Sequence, residues 1–179
     1  MKTVSLKGPV SKDDLFALRA GDAVSYTGEL YTARDVAHKR FCDALKSGKE
    51  LPVSLEGAII YYTGPAPAPP GRVIGSAGPT TSYRMDSFTP YLLENTGLTA
   101  MIGKGARSME VIEAVKKNGA VYFAAIGGAG ALIADRIISC ETVCYEDLGP
   151  EAVRKLTVRD FPLYTAVDTQ GNSLYKNSF

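Results

Sequence analysis

The chain has 179 residues, 45% of them hydrophobic and 22% charged, a composition that suits one ordinary globular core. Its 20 Lys and Arg against 19 Asp and Glu leave a net charge of +1, so no global field draws in nucleic acid or an anionic membrane, and any anion specificity has to be local. No run approaches the roughly 18 apolar residues of a membrane span, and MKTVSLKGPV lacks the apolar stretch and cleavage site of a secretory signal, so the expected compartment is the cytoplasm.

TVSLKGP reads as a short strand, and SKDDLFALRAGD as a short helix capped by Ser11, with Leu15, Phe16 and Leu18 behind the cap. AVSYTGELYTA alternates as a half-buried strand does. RDVAHKRFCDALKSG then switches to helical spacing through Val36, Ala37, Phe41, Ala44 and Leu45, with Gly48 as its stop. LEGAIIYYTG has the β-branched and aromatic content of a buried strand, and it runs into PAPAPPG, where four prolines in seven residues predict a stiff extended connector.

Beyond it, helices are predicted near MDSFTPYLLENTG, RSMEVIEAVKKNG and GALIADRII, interleaved with strands near LTAMIG, AVYFAAI and CETVCYE. KLTVRDFPLYTAVDTQGNSLY reads as two strands around a break at Phe161-Pro162, followed by a turn at Gln170-Gly171-Asn172. The class is α/β in layers, and the expected organisation is one domain over residues 1–179.

Three segments carry candidate chemistry. Gly75 to Asp86, with two glycines, a proline, four hydroxyl residues and Arg84, can surround a small anion with amides and hydroxyls, and Arg84 adds a planar fork suited to carboxylate. The plainer reading is a helix capped by Ser82 or Asp86 with Arg84 in water. Thr32-Ala33-Arg34-Asp35 hands a strand over to the helix bearing His38, the only histidine, so Arg34 and His38 can share a face, or the run is only a polar outer surface. Gly103-Lys104-Gly105 frames a lysine directly after a strand, as a point charge for a ligand or as an ordinary turn.

Two other patterns are weaker. Gly127-Gly128-Ala129-Gly130 resembles a dinucleotide loop, but Ile133 stands where the third glycine of that pattern belongs, so close helix packing accounts for it better. Cys140 and Cys144 lack the two-residue spacing of metal loops; four apart on a strand, they would share a face as core thiols, reduced like Cys42. The chain thus offers cations and hydroxyls but no metal set, no paired carboxylates and no histidine-supported nucleophile. A partner would supply the rest.

Through YTARDVAHKR, YYTGPAPAPPGRVIGSAGPTTSYRMD, MIGKGARS, VYFAAIGGAGAL and YEDLGPEA, in order over about residues 20 to 170, the sequence resembles the β region of class I fumarases and of the related tartrate dehydratases. That resemblance implies a swivelling β/β/α domain and a separate α subunit. There three cysteines hold a four-iron four-sulfur cluster, whose iron without a protein ligand acts as a Lewis acid on the substrate hydroxyl. It implies that this chain binds neither cluster nor metal with its own cysteines. Residue by residue, it implies that Arg34, Arg84 and Lys104 clamp the carboxylates of a small dicarboxylate, and that Thr80, or its neighbour Thr81, moves the proton beside the leaving hydroxyl.

The implied activity is a hydro-lyase working reversibly on a C4 dicarboxylate, fumarate or malate foremost. L(+)-tartrate dehydration is the alternative, and a non-catalytic anion-binding or assembly domain is the rival. The expected partners are the α subunit and the substrate, with a homodimer open to the isolated chain. The sequence departs from the family pattern at Tyr83 and Ala33, where many relatives carry glycine.

Overall fold

The computed structural model describes residues 2–126 and 128–175. Gly127, first of the glycine run, lies outside the described residues. Seven strands and five helices run in chain order: β1 (Thr3–Lys7), α1 (Lys12–Phe16), β2 (Ala23–Thr32), α2 (Asp35–Lys46), β3 (Ile59–Tyr61), α3 (Thr89–Thr96), β4 (Ala100–Gly103), α4 (Met109–Asn118), β5 (Val121–Ala124), α5 (Gly130–Ala134), β6 (Ile137–Cys144) and β7 (Val153–Val167). The strands form one sheet, ordered β1-β2-β3-β4-β5-β7-β6, and an additional β2–β7 pairing closes five of them into a barrel.

β1 to β5 run parallel, and β7 runs antiparallel to β2, β5 and β6. Period-two alternation divides the core in two. Ile59, Tyr61, Ala100, Ile102, Val121 and Phe123 face one apolar cluster, which Leu15 and Leu18 also enter. Ile60, Tyr62, Met101 and Tyr122 face the other, where Ala37 and Phe41 of α2, Leu92 of α3 and Val111 and Val115 of α4 cover the barrel. The class is α/β, as the sequence predicts.

Local signals are met at most helix ends. Ser11 and Asp14 form a reciprocal capping box on α1. Ser108 caps α4, which ends at left-handed Gly119. The prolines from 65 to 70 lie in a stretch without helix or strand.

Three expectations are corrected. The final segment is one 15-residue strand rather than two, because Phe161 and Pro162 continue the ladder with Tyr26 and Ser25; the irregularity is Asp160, at φ 50°, opposite a register shift between Tyr26 and Gly28. Helix α5 stops at Ala134, and β-branched Ile137 pairs with Val158 at the start of β6. The α2 face is rotated: Ala37, His38, Phe41 and Cys42 are buried, while Val36 is 41% exposed.

The turn predicted at Gln170-Gly171-Asn172 is held by Asp168, which is fully buried. Its carboxylate accepts from the amides of Ala20 (3.1 Å), Gln170 (2.9 Å) and Asn172 (3.0 Å), and from Asn172 Nδ2. It ties the chain's two ends together. Asp168→Ala strips three backbone amides of their charged acceptor, and chemical denaturation should register a loss of about 2 kcal/mol or more.

Candidate functional site

The parallel strands β2, β3 and β4 are neighbours, so the loops leaving their C-terminal ends meet at one edge of the barrel, where open α/β sheets place their ligands. Arg34 stands two residues past the end of β2. The Gly75–Arg84 loop is pinned over the end of β3 by the Thr80 amide, which donates to the Tyr62 carbonyl at 2.6 Å. Lys104 comes directly after β4, paired with Thr81 in an isolated bridge, and its carbonyl accepts from the Ser82 amide at 2.9 Å. The structure therefore brings Arg34, Thr80, Thr81, Arg84 and Lys104 to one edge.

Glycine leaves room where these loops approach, most strictly at Gly103. A Cβ on Gly103 would collide with Ser82 Oγ, and one on Gly64 would stand 3.1 Å from Arg34 Nη1. The loop is also braced from below. Thr63 Oγ1 donates to the Gly78 carbonyl (2.8 Å), Tyr61 donates to the Ala77 carbonyl, and the Ala77 amide donates to Gly130 (3.1 Å). Gly130 thus serves close packing, as the failed dinucleotide pattern suggested.

Both arginines are already held by carboxylates. Arg34 Nη2 lies 3.1 Å from Glu151 Oε1, and Arg84 pairs with Asp35, the residue after Arg34. Arg84 is therefore not simply in water, and neither Ser82 nor Asp86 caps a helix: Ser82 opens a single 3-10 turn, and α3 starts later at Thr89. Among the described residues Lys104 forms no ion pair and is exposed.

His38 does not join the edge through its side chain. Its ring is buried, 5.2 Å from Tyr62 in a T-shaped contact and 6.3 Å from Phe88. It meets Arg34 at the backbone, where the Arg34 carbonyl accepts from the His38 amide (2.9 Å) and from ring Nδ1 (2.8 Å). A carbonyl only accepts, so Nδ1 carries the proton and Nε2 the lone pair. Burial is the largest cause pushing this imidazole from 6.5 down to about 4; the bond to Arg34 resists it, the Arg107 guanidinium adds to it, and Asp35 resists it again.

Sequence reasoning missed the polar layer beneath the edge. Arg107 is buried, donates to Asp86 Oδ1 (2.6 Å) and Thr89 Oγ1 (2.8 Å), and lies over the rings of Tyr122 (4.8 Å) and Tyr62 (5.4 Å). Asp86 also takes the Ser108 amide at 2.6 Å, which joins the layer to the start of α4. The available signal was a tyrosine within each of two buried strands, since a buried phenol needs a partner. Four of the six buried side-chain atoms without a hydrogen-bond partner among the described residues belong to Arg34, Asp35, His38 and Arg107. Unmet polarity is concentrated at this edge and in the layer beneath it.

The thiols lie elsewhere. Cys42 is buried on α2. A register shift between Thr142 and Cys144 turns Cys140 toward one apolar cluster and Cys144 toward the other, so the two do not share a face as expected. Desolvation raises all three thiols. Among the described residues no three His, Cys, Asp or Glu side chains gather to hold a metal ion, so the residues present do not fit an iron–sulfur cluster. Among the described residues no helix is long and apolar enough to cross a membrane.

A cationic, hydroxyl-bearing strand edge on a mixed α/β barrel suits a small molecule with more than one negative charge. A family model described as Fumarase C-terminus matches residues 1–178, and the chain belongs to that family. It is 42% identical over 154 residues to the Escherichia coli protein named fumarate hydratase class I, anaerobic, covering 86% of this chain and 28% of the relative. It is 39% identical over 178 residues to fumarate hydratase 2 of Leishmania major, covering 98% of this chain and 31% of the relative. The chain thus spans less than a third of either relative. A Methanocaldococcus jannaschii protein with the provisional name L(+)-tartrate dehydratase subunit beta is 40% identical over 172 residues, covering 93% of this chain and 88% of the relative.

His38 links the site's support to pH. Between pH 6.5 and about 4 the unfolded chain takes up a proton that the folded chain refuses, so stability is complete above 6.5 and falls as pH drops toward 4. The full effect is on the order of 3 kcal/mol. Denaturation at a series of pH values should show this loss in the wild type and a much flatter profile in His38→Asn, whose amide can still donate to the Arg34 carbonyl.

Proposed function

We propose that this chain is the β subunit of an iron–sulfur hydro-lyase that reversibly adds or removes water on a C4 dicarboxylate, with the cluster carried by an α subunit. In this reading residues 1–179 are one domain of the swivelling β/β/α kind, working in the cytoplasm. Arg34, Arg84 and Lys104 grip the two carboxylates, and Thr80 or Thr81 moves the proton at the carbon beside the hydroxyl. The observation that carries it is the meeting of these five residues at the ends of three adjacent parallel strands.

The chemistry is consistent with that placement. A guanidinium has five N–H donors, so Glu151 and Asp35 can orient Arg34 and Arg84 while donors remain for a ligand. A carboxylate about 4 Å from a cation gains on the order of 4 kcal/mol at an effective dielectric near 20, and two such anchors fix the carbon chain for elimination. Among the described residues no side chain takes a hydrogen bond from the Thr80 or Thr81 hydroxyl, and Thr81, Tyr83, Arg84 and Lys104 are exposed. A second polypeptide closing over the edge would supply both the cluster, as Lewis acid, and the exclusion of water.

Fumarate or malate is the favoured substrate pair, in line with the fumarate hydratase relatives. The M. jannaschii relative favours a second reading, a tartrate dehydratase β subunit, because its length nearly equals that of the present chain. The rival is a non-catalytic domain holding an anion at the same edge.

Mixing the chain anaerobically with its α partner should give turnover of fumarate, malate or tartrate, and the chain alone should give none. Activity of the lone chain, or silence of the pair on all three acids, defeats the proposal; tight binding of phosphate by the lone chain favours the rival. In the active pair, Arg84→Lys keeps charge but loses the fork. Steady-state kinetics should show kcat/KM reduced by about tenfold or more, with the melting temperature of the chain nearly unchanged.

A further inference from the structure

Ser82 and Tyr122 are fully buried beneath the edge and belong to no part of the proposed chemistry. The Tyr122 hydroxyl donates to the Gly105 carbonyl at 2.8 Å. With its one proton committed there, it accepts from Ser82 Oγ, 2.9 Å away. Burial is the main cause pushing the phenol far above its ordinary range, so it keeps that proton. One hydroxyl therefore bridges two loops: the one bearing Thr80, Thr81 and Arg84, and the one bearing Lys104.

The contacts around it leave little freedom. The Ser82 amide donates to the Lys104 carbonyl, Thr81 pairs with Lys104, and Gly103 has no room for a Cβ beside Ser82 Oγ. Gly105 sits at φ 82°, a conformation that turns its carbonyl without the strain a side chain would add. From the other side, the guanidinium of Arg107 lies 4.8 Å from the Tyr122 ring centre and holds Asp86, two residues beyond Arg84. Arg107 fixes the ring, and the ring's oxygen makes the hydrogen bonds that join the two loops.

We propose that Tyr122, through Ser82 and Gly105, is a positioning residue that sets the distance between Lys104 and the threonine hydroxyls. This deepens the hydro-lyase reading and rests on it. A carboxylate held on Lys104 then lies at a set distance from Thr80 and Thr81, and a displacement of about 1 Å at such a site is enough to cost on the order of a hundredfold in rate.

The test uses Tyr122→Phe, which keeps ring and cation contact but removes the bridging oxygen, and Ser82→Ala, which removes the other end of the link. In the reconstituted pair each variant should lower kcat at least tenfold with KM within threefold of wild type. The double variant should be no worse than the poorer single one, because both changes break the same link. A kcat within twofold of wild type, or losses that multiply in the double variant, overturns the proposal.

Amide hydrogen exchange on the isolated chain separates this from failure of the functional reading. Tyr122→Phe should speed exchange of the Ser82 amide at least tenfold while the Ile102 and Phe123 amides keep their protection. Unchanged Ser82 exchange, or a uniform rise across β4 and β5, overturns the clamp. A wild-type pair inactive on every acid, with the local exchange effect present, removes the hydro-lyase reading and leaves the link between the loops in place.

Discussion

Closure of the sheet by β7 is the constraint on which the molecule depends. A parallel run from β1 to β5 has short strands, three residues in β3 and four each in β4 and β5, and on its own would leave edges open. The 15 residues of β7 reach across the gap. Its first half lies between β6 and β2, and its last residues pair with β5, so one strand stitches both sides. The irregularity at Asp160 falls between the stretch that pairs with β6 and the stretch that reaches β5.

Below that edge the molecule spends polarity where most cores have none. The Arg107–Asp86 pair is taken out of water, which costs more than an exposed pair unless nearly every donor is used. Here Asp86 takes both Arg107 and the Ser108 amide, Thr89 takes another guanidinium nitrogen and two tyrosine faces receive the charge, while Arg107 Nη1 has no partner among the described residues. Such a layer is poor at adding stability and good at excluding alternative packings. It sits directly under the loops whose relative position a dianion would require.

The sequence made the elements legible wherever a local cause decides them. The Ser11 cap, the proline connector, Gly119 after α4 and the alternation in β2 to β5 all follow from backbone rules that act within a few residues. What it hid depends on distant partners. Pro162 looks like a break until Ser25 is known to lie opposite it, and Cys140 and Cys144 look alike until a register shift separates them. The candidate edge residues stood out because glycine, hydroxyl and cation coincide in short loops. Arg107 and Tyr122 did not, and Ser82 stood out only as a candidate helix cap, since their significance is created by packing across strands and loops.

Asp35 and Glu151 bear on why the cations lie where they do. Three positive groups at one edge repel each other, and long arginine side chains lose much of their freedom when a ligand orders them. Pairing Arg34 with Glu151 and Arg84 with Asp35 settles both problems before any ligand arrives. Three cations less two carboxylates leave a charge of +1, enough to attract an anion but short of neutralising two carboxylates. For the proposed dicarboxylate, the remaining positive charge would come from the partner that closes over the exposed side. An edge so arranged is preorganised, and in the proposed pair it would form one half of a shared active site.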